Sequence, residues 1–292
     1  MLITYGLLAL AILSVWLPDV RLSSSLRLPA WGVLLLAAIV SGLATGILAP
    51  LALLSIVVFI VLASYAERIG RRPGAKWLSR LLLMLTMLAA LALALHLLPG
   101  FHNPRIIDKL VLSPGGAPFS QYLNFDKGLA GLVLLALFCT RAQQWPEFGL
   151  AMKRAVPVMA ITLAAVVATA LAIGFVKPDF KFPDITLQFL LVNLLLTCVA
   201  EEAFFRGLLQ GRIAAFLGNT SSGELAAVLI ASVLFGLTHA AGGWRVILLA
   251  TMAGLGYGFA YRYTKRIEAA IATHFIVNAV QFLALTYPYL RG

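Results

Sequence analysis

Ten long apolar stretches, nearly free of charged residues, constrain this chain more than any other feature. A helix needs about 20 apolar residues to cross a bilayer, whereas the strands of a membrane barrel alternate polar and apolar residues. We therefore predict an all-α, polytopic helical membrane protein with about 8–10 transmembrane helices. The predicted spans are, within a few residues, about 2–17, 30–47, 51–65, 80–98, 128–140, 155–176, 187–209, 224–239, 245–263 and 267–287.

Composition supports this class of protein. Hydrophobic residues make up 62% of the 292 residues and charged residues only 11%, whereas an average soluble domain carries about 25% charged residues. The net charge is +11, but no basic patch is interleaved with aromatic residues as in single-strand binders. We expect anionic lipids as partners of the basic loops, and no nucleic acid.

The distribution of positive charge predicts an orientation. When the loops are taken alternately, one set holds 15 of the 22 lysines and arginines and the other set holds the remaining seven. Cytoplasmic loops carry the excess of Lys and Arg, so both termini are expected outside the cytoplasm. We expect a multi-pass protein of the cell membrane, plasma or inner.

One long loop divides the predicted helices into two groups. The segment 99–127 is rich in Pro and Gly and is extracytoplasmic in the orientation above. It predicts an N-terminal transmembrane helical extension with its loop over 1–127, and a C-terminal helical core over 128–292.

The polar residues of the spans are concentrated in the C-terminal group. Ionisable side chains at membrane depth are rare and by default indicate a functional site. On a regular helix, residues four apart share a face, so one glutamate of the Glu-Glu pair can pair with the arginine that follows it. The other glutamate points about 100° away and lacks that partner; a carboxylate without a cation in a low-dielectric site suits a general base. The candidate residues are Glu201, Glu202, Arg206, His239, His274 and Asn278.

These groups together fit the hydrolysis of an amide bond by activated water. They supply a base, proton carriers and neutral donors for a developing oxyanion, and there is no serine or cysteine nucleophile at motif spacing. A metal site is the alternative, because one glutamate and two histidines form a familiar zinc set. Its ligands would be Glu201, His239 and His274, although the sequence contains no H-E-x-x-H pattern that would preform the site.

Three motifs in order resemble the signatures of the CAAX-protease and bacteriocin-processing (CPBP, or Abi) intramembrane endopeptidases. They are Glu201-Glu202-x-x-x-Arg206, Phe235-x-x-x-His239 and His274-x-x-x-Asn278. The resemblance covers roughly 130–290 and implies a CAAX-protease-like C-terminal helical core.

The resemblance also implies a role for each residue. Glu201 would be the general base that activates water, and His239 would help to bind that water. His274 and Asn278 would line the oxyanion site, while Glu202 would support the base, with Arg206 as its partner. The resemblance implies no required cofactor, so zinc stays the alternative.

The sequence therefore predicts an intramembrane endopeptidase that acts on a membrane-embedded or membrane-anchored peptide, with its active site open toward the cytoplasm. A transporter or proton-coupled channel could use the same groups as a relay. Transporters often carry internal repeats with polar breaks in both halves, whereas here the polar groups are confined to one half.

Overall fold

The structure, a computed structural model, describes residues 1–21, 27–71 and 76–291. These residues contain ten helical segments, one for each predicted apolar stretch, and two short two-stranded sheets. The all-α, polytopic architecture is confirmed. The helices before the motifs are α1 (Leu2–Leu13), α2 (Ala30–Ala44), α3 (Pro50–Gly70), α4 (Lys76–Ala94), α5 (Phe125–Phe138) and α6 (Trp145–Ala172).

The seventh segment is the long helix Thr186–Phe216, hereafter the motif helix, which carries the two glutamates. It comprises α7 (Thr186–Val192), α8 (Val199–Glu202), α9 (Gly211–Phe216) and the π-helical turns between them. Three helices complete the chain: α10 (Ser221–Leu237), α11 (Trp244–Thr264) and α12 (Ile267–Ala284). The strands are β1 (Val20–Arg21), β2 (Arg27–Leu28), β3 (Arg105–Leu110) and β4 (Phe119–Tyr122).

Five helices in the described ranges are long and apolar enough to cross a membrane: α3, α4 from Trp77 onward, α6, the motif helix and α12. Three shorter apolar helices accompany them, at Leu2–Trp16, Ala30–Ala44 and Ser221–Leu237. A chain with five such helices is a multi-pass membrane protein.

The first of two compact units contains the N-terminal helices together with the glutamates. It comprises Met1–Pro104, Tyr122–Cys139 and Leu195–Phe204. Helix α1 packs on α2, α3 packs on α4, and α5 packs on α8. Its core is apolar, with fully buried side chains that include Leu8, Phe59 and Phe125.

The second unit contains the histidines. It comprises Arg105–Gln121, Thr140–Leu194 and Phe205–Gly292. Helix α11 packs on α6, α10 and α12. Glycines on α11 allow this close approach: a Cβ at Gly256 would lie only 2.0 Å from Oγ1 of Thr162 on α6.

Three extended segments of the second unit meet at one end of α12. The tail after α12 pairs with the β3–β4 connection through Gly116 and Leu290, and with the α6–α7 connection through Pro178 and Leu285. Ser113 joins all three, because its Oγ accepts a hydrogen bond from the Tyr287 amide at 2.9 Å and its hydroxyl donates to Asp179. These bonds use backbone groups that would otherwise lie unpaired.

The carboxyl group of Asp179 predicts a pH dependence of stability. The hydrogen bond from Ser113 is the main reason that the pKa of Asp179 lies below its usual range. Desolvation opposes this effect, and the hydrogen bond and charge of Lys181 add smaller lowering effects. A depressed folded-state pKa contributes stability that is present above about pH 4 and is lost as the pH falls through the folded-state value. Since this side chain is partly exposed, we expect a contribution of less than about 1 kcal/mol.

Thermal unfolding in detergent between pH 3 and pH 6 measures this contribution. The melting temperature of the wild-type protein is expected to exceed that of Asp179→Asn at pH 6, with the gap closing toward pH 3. A gap that stays constant over this range would contradict the assignment.

Candidate active site

The glutamates lie on a single α-helical turn between two π-helical segments. The π segments are Asn193–Cys198 and Ala203–Gln210, and α8 lies between them. A π turn closes an i to i+5 hydrogen bond and frequently occurs at functional sites. The regular 100° spacing assumed from the sequence is therefore wrong for the residues on either side of the glutamates.

Glu201 has a cationic neighbour in the first unit. Nζ of Lys127 donates a hydrogen bond to Oε1 of Glu201 at 2.7 Å, and the two side chains are 18% and 17% exposed. The prediction that Glu201 lacks a cation is therefore wrong. Glu202, the next residue, is completely buried.

The ion pair lies beside the middle of the motif helix. Glu201 is near the middle of the 31-residue motif helix, about 22 Å from its start at about 1.5 Å per residue. Lys127 lies in the first turn of α5, which has only 14 residues. Lys127 is thus a helical residue beside the middle of the motif helix rather than a residue of the aqueous loop 99–127.

The second unit brings the two histidines to one aromatic side chain. The ring centroid of Phe235 is 4.8 Å from that of His239 and 5.7 Å from that of His274. His274 is also stacked on Tyr257, with ring centroids 4.4 Å apart. Residues of the second and third motifs therefore share one aromatic cluster.

The hydrogen bond of His239 determines which ring nitrogen is available. Its Nδ1 is 2.9 Å from the carbonyl oxygen of Phe235. A carbonyl only accepts, so Nδ1 carries the hydrogen and Nε2 of the neutral ring is an acceptor. His239 lies two residues after the end of α10 and is half-buried, whereas His274 is only 4% exposed.

Arg206 supports the aromatic cluster. Its side chain is fully buried, and Nη2 donates to the Gly254 carbonyl at 3.0 Å. The guanidinium carbon lies 5.0 Å from the ring centroid of Phe235 and 5.5 Å from that of Tyr257. A buried guanidinium over aromatic faces is favourable, so Arg206 fixes the two rings that contact the histidines.

The amide of Asn278 reaches the motif helix within the second unit. Its Nδ2 lies 3.3 Å from Oδ1 of Asn193, a long hydrogen bond. One turn away, Phe189 stacks on Phe282 with ring centroids 3.9 Å apart. These aromatic contacts fix the relative register of α7 and α12.

Sequence reasoning missed three residues that contact the motif positions: Lys127, Asn193 and Tyr257. Asn193 carried a usable signal, because it is a lone amide in the apolar run LLVNLLLT and intramembrane polar residues indicate function. Tyr257 could only be read as one aromatic residue among many. Lys127 had no signal, since a lysine next to a long loop is normally solvated.

Metal-ligating side chains form no group of three or more among His, Cys, Asp and Glu in the ranges 1–21, 27–71 and 76–291. The prediction of a cofactor-free site and its zinc alternative both remain predictions.

Comparison with protein families gives one match. Residues 183–280 match the family model described as type II CAAX prenyl endopeptidase Rce1-like. These residues form a CPBP-family domain. The CPBP domain contains all three motifs, whereas α1 to α6 lie outside the matched residues. No match was found among curated proteins or among solved structures. At family level, the CPBP domain supports an intramembrane protease.

Proposed function

We propose that this protein is an intramembrane endopeptidase that hydrolyses a peptide bond of a membrane-anchored protein or peptide. The observation that carries the proposal is the convergence of His239 and His274 on Phe235 inside the matched domain. Ionisable side chains grouped among apolar helices by default indicate a functional site, and a peptidase needs donors and proton carriers grouped in this way.

In the proposed mechanism Glu201 is the general base. Its carboxylate, which accepts a hydrogen bond from Lys127, accepts a proton from a water molecule as the water oxygen attacks the scissile carbonyl carbon. The Nε2 of His239 accepts a hydrogen bond from the same water and orients it. Glu201 then transfers the proton to the leaving amine as the carbon–nitrogen bond breaks.

The oxyanion formed in the attack would be stabilised by His274 and by the amide of Asn278. Preorganised donors at such a position contribute about 10²–10³ in kcat each. The stacking of His274 on Tyr257 and the bond between Asn278 and Asn193 support this role, because both side chains are held before substrate binds. Glu202 would support the base, and no metal ion is required.

The substrate class follows from the setting of these groups. A site carried on apolar helices accepts peptides that are themselves embedded in or anchored to the membrane. The matched family is described as a type II CAAX prenyl endopeptidase. We propose that the substrate of this protein is a lipid-anchored or membrane-spanning peptide. On the basis of the charge distribution, we propose a cell-membrane location with the site open toward the cytoplasm.

Comparative proteomics of membrane-protein termini tests the proposal. New termini present in cells with the wild-type protein are expected to disappear with Glu201→Gln, because the amide cannot accept the proton of water. The matched control is Glu67→Gln, which removes an acid on α3 that pairs with Arg71 outside the matched domain.

The control is expected to retain every terminus found with the wild-type protein. An unchanged set of termini with Glu201→Gln, at equal protein abundance, would overturn the proposed function. The termini that disappear identify both the substrate and its cut site.

A further inference from the structure

Lys127 is a charged residue beside the middle of the motif helix, and neither the motifs nor the matched domain includes it. We infer that Lys127, on α5 outside the matched residues, is a positioning residue for the Glu201 carboxylate. The inference rests on the proposed function, in which Glu201 is the base.

The first argument is the contact itself. The 2.7 Å distance between Nζ of Lys127 and Oε1 of Glu201 is that of a charge-assisted hydrogen bond. With both side chains less than a fifth exposed, water screens the pair weakly. The ammonium therefore holds Oε1 of Glu201 in place.

The second argument is the rigidity of the two helices that carry the pair. A Cβ at Gly131 on α5 would lie 2.6 Å from Cα of Ala200, and one at Gly128 would lie 3.0 Å from Cδ2 of Leu196. The two backbones are thus in direct contact one turn from the ion pair. Because these two helices are packed in direct contact, Lys127 holds the Glu201 carboxylate in one position, as catalytic groups require.

The third argument is the polar network that fixes the start of α5. Asp126 is only 1% exposed in its side chain and accepts hydrogen bonds from the Lys127 amide at 2.8 Å and from Nδ2 of Asn103 at 2.9 Å. Nδ1 of His96 lies 2.8 Å from its other oxygen. Three segments of the first unit thereby hold the residue next to Lys127 in place.

A purely structural ion pair is the competing explanation. Removing one partner of a buried ion pair destabilises a protein, because the remaining charge is left uncompensated. A pair kept only for packing would affect melting temperature and protein abundance, whereas a positioning residue affects the turnover of the folded enzyme. The experiment must therefore measure the kcat of folded enzyme and its melting temperature separately.

The test compares Lys127→Met and Lys127→Arg in the full-length protein reconstituted in proteoliposomes. The probe is a synthetic peptide that spans the cut site mapped by terminal proteomics. With Lys127→Met, kcat is expected to fall about 100-fold, the cost of a misplacement of about 1 Å, with KM within about twofold of wild type. Lys127→Arg restores the cation and is expected to recover kcat to within about tenfold.

Lys181→Met is the matched control. Lys181 forms an equally buried ion pair with Asp179, at 3.1 Å and 12% and 23% exposure, at the end of α12 rather than beside a motif glutamate. Its removal is expected to lower the melting temperature but to leave kcat unchanged. A Lys127→Met enzyme with wild-type kcat would overturn the inference.

The Lys127→Met, Glu201→Gln double variant separates the inference from the proposed function. Coupled groups are not additive, so its kcat is expected to equal that of Glu201→Gln alone. If Glu201→Gln is inactive while Lys127→Met is fully active, the positioning role of Lys127 is wrong and the proposed function stands. If Glu201→Gln is fully active, both the proposed function and the positioning role of Lys127 are wrong. If Lys127→Met does not fold, a kcat of Lys127→Arg within about tenfold of the Lys181→Met value supports the inference, and a larger loss contradicts it.

Discussion

Glu201→Gln is expected to lower kcat about 10²–10⁴-fold, the usual contribution of a general base. The amide has nearly the shape of the carboxylate and still accepts a hydrogen bond from Lys127, so the helices should pack as before. KM and melting temperature are expected to stay close to wild type, because only an interaction made in the transition state is lost. Initial rates on the mapped peptide in proteoliposomes measure the effect.

Glu201→Asp is the control that separates the presence of a carboxylate from its position. It keeps a carboxylate but withdraws it by one methylene from Lys127 and from the water, so an intermediate rate is expected, above that of Glu201→Gln. The zinc alternative makes a different prediction, since a chelator would then abolish wild-type activity and added zinc would restore it. That result, or equal rates for Glu201→Gln and wild type, would contradict the glutamate mechanism.

The helices could be predicted from the sequence because lipid leaves few choices. A chain in a bilayer must satisfy its backbone hydrogen bonds internally, so each of ten apolar stretches became one helix. Their ends were less predictable, because hydropathy detects apolar residues rather than helical ones. Helix α3 continues past the predicted end at 65 through Glu67 and Arg68, and α6 begins at Trp145, ten residues before the predicted span.

Local parts of the candidate site could also be predicted. His239 lies four residues after Phe235 and therefore reaches the same aromatic cluster through one helical turn, as the motif spacing implies. The convergence of His274 on Phe235 was predicted only in outline, as a meeting of separate helices. The roles of these residues remain predictions that the variants above test.

Two features could not have been found from one sequence. The π turns have no compositional signal, because an inserted residue in a helix is as apolar as its neighbours. The contact of Lys127 with Glu201 joins residues 74 positions apart, and no local pattern reports which helix packs on which. The sequence therefore identified the acid but not the cation that accompanies it.

Gly131→Leu is expected to destabilise the protein by about 3 kcal/mol, at the upper end of overpacking effects. The reason is the contact between α5 and the motif helix: even a Cβ at this position would lie 2.6 Å from Cα and 2.7 Å from Cβ of Ala200. The backbone of Ala200 cannot rotate away as a side chain could, so the two helices must separate. Thermal unfolding in detergent should show a melting temperature lower by about 6–12 °C.

Gly6→Leu is the matched control, because Gly6 lies on a helix of the same unit with nothing within 4 Å of the added Cβ. Leucine has the higher helix propensity, so this variant should melt at the wild-type temperature or above it. Folded Gly131→Leu protein is also expected to lose activity, since separation of α5 from the motif helix withdraws Lys127 from Glu201. A Gly131→Leu protein that matched Gly6→Leu in both melting temperature and kcat would show that α5 does not hold the glutamate turn in place.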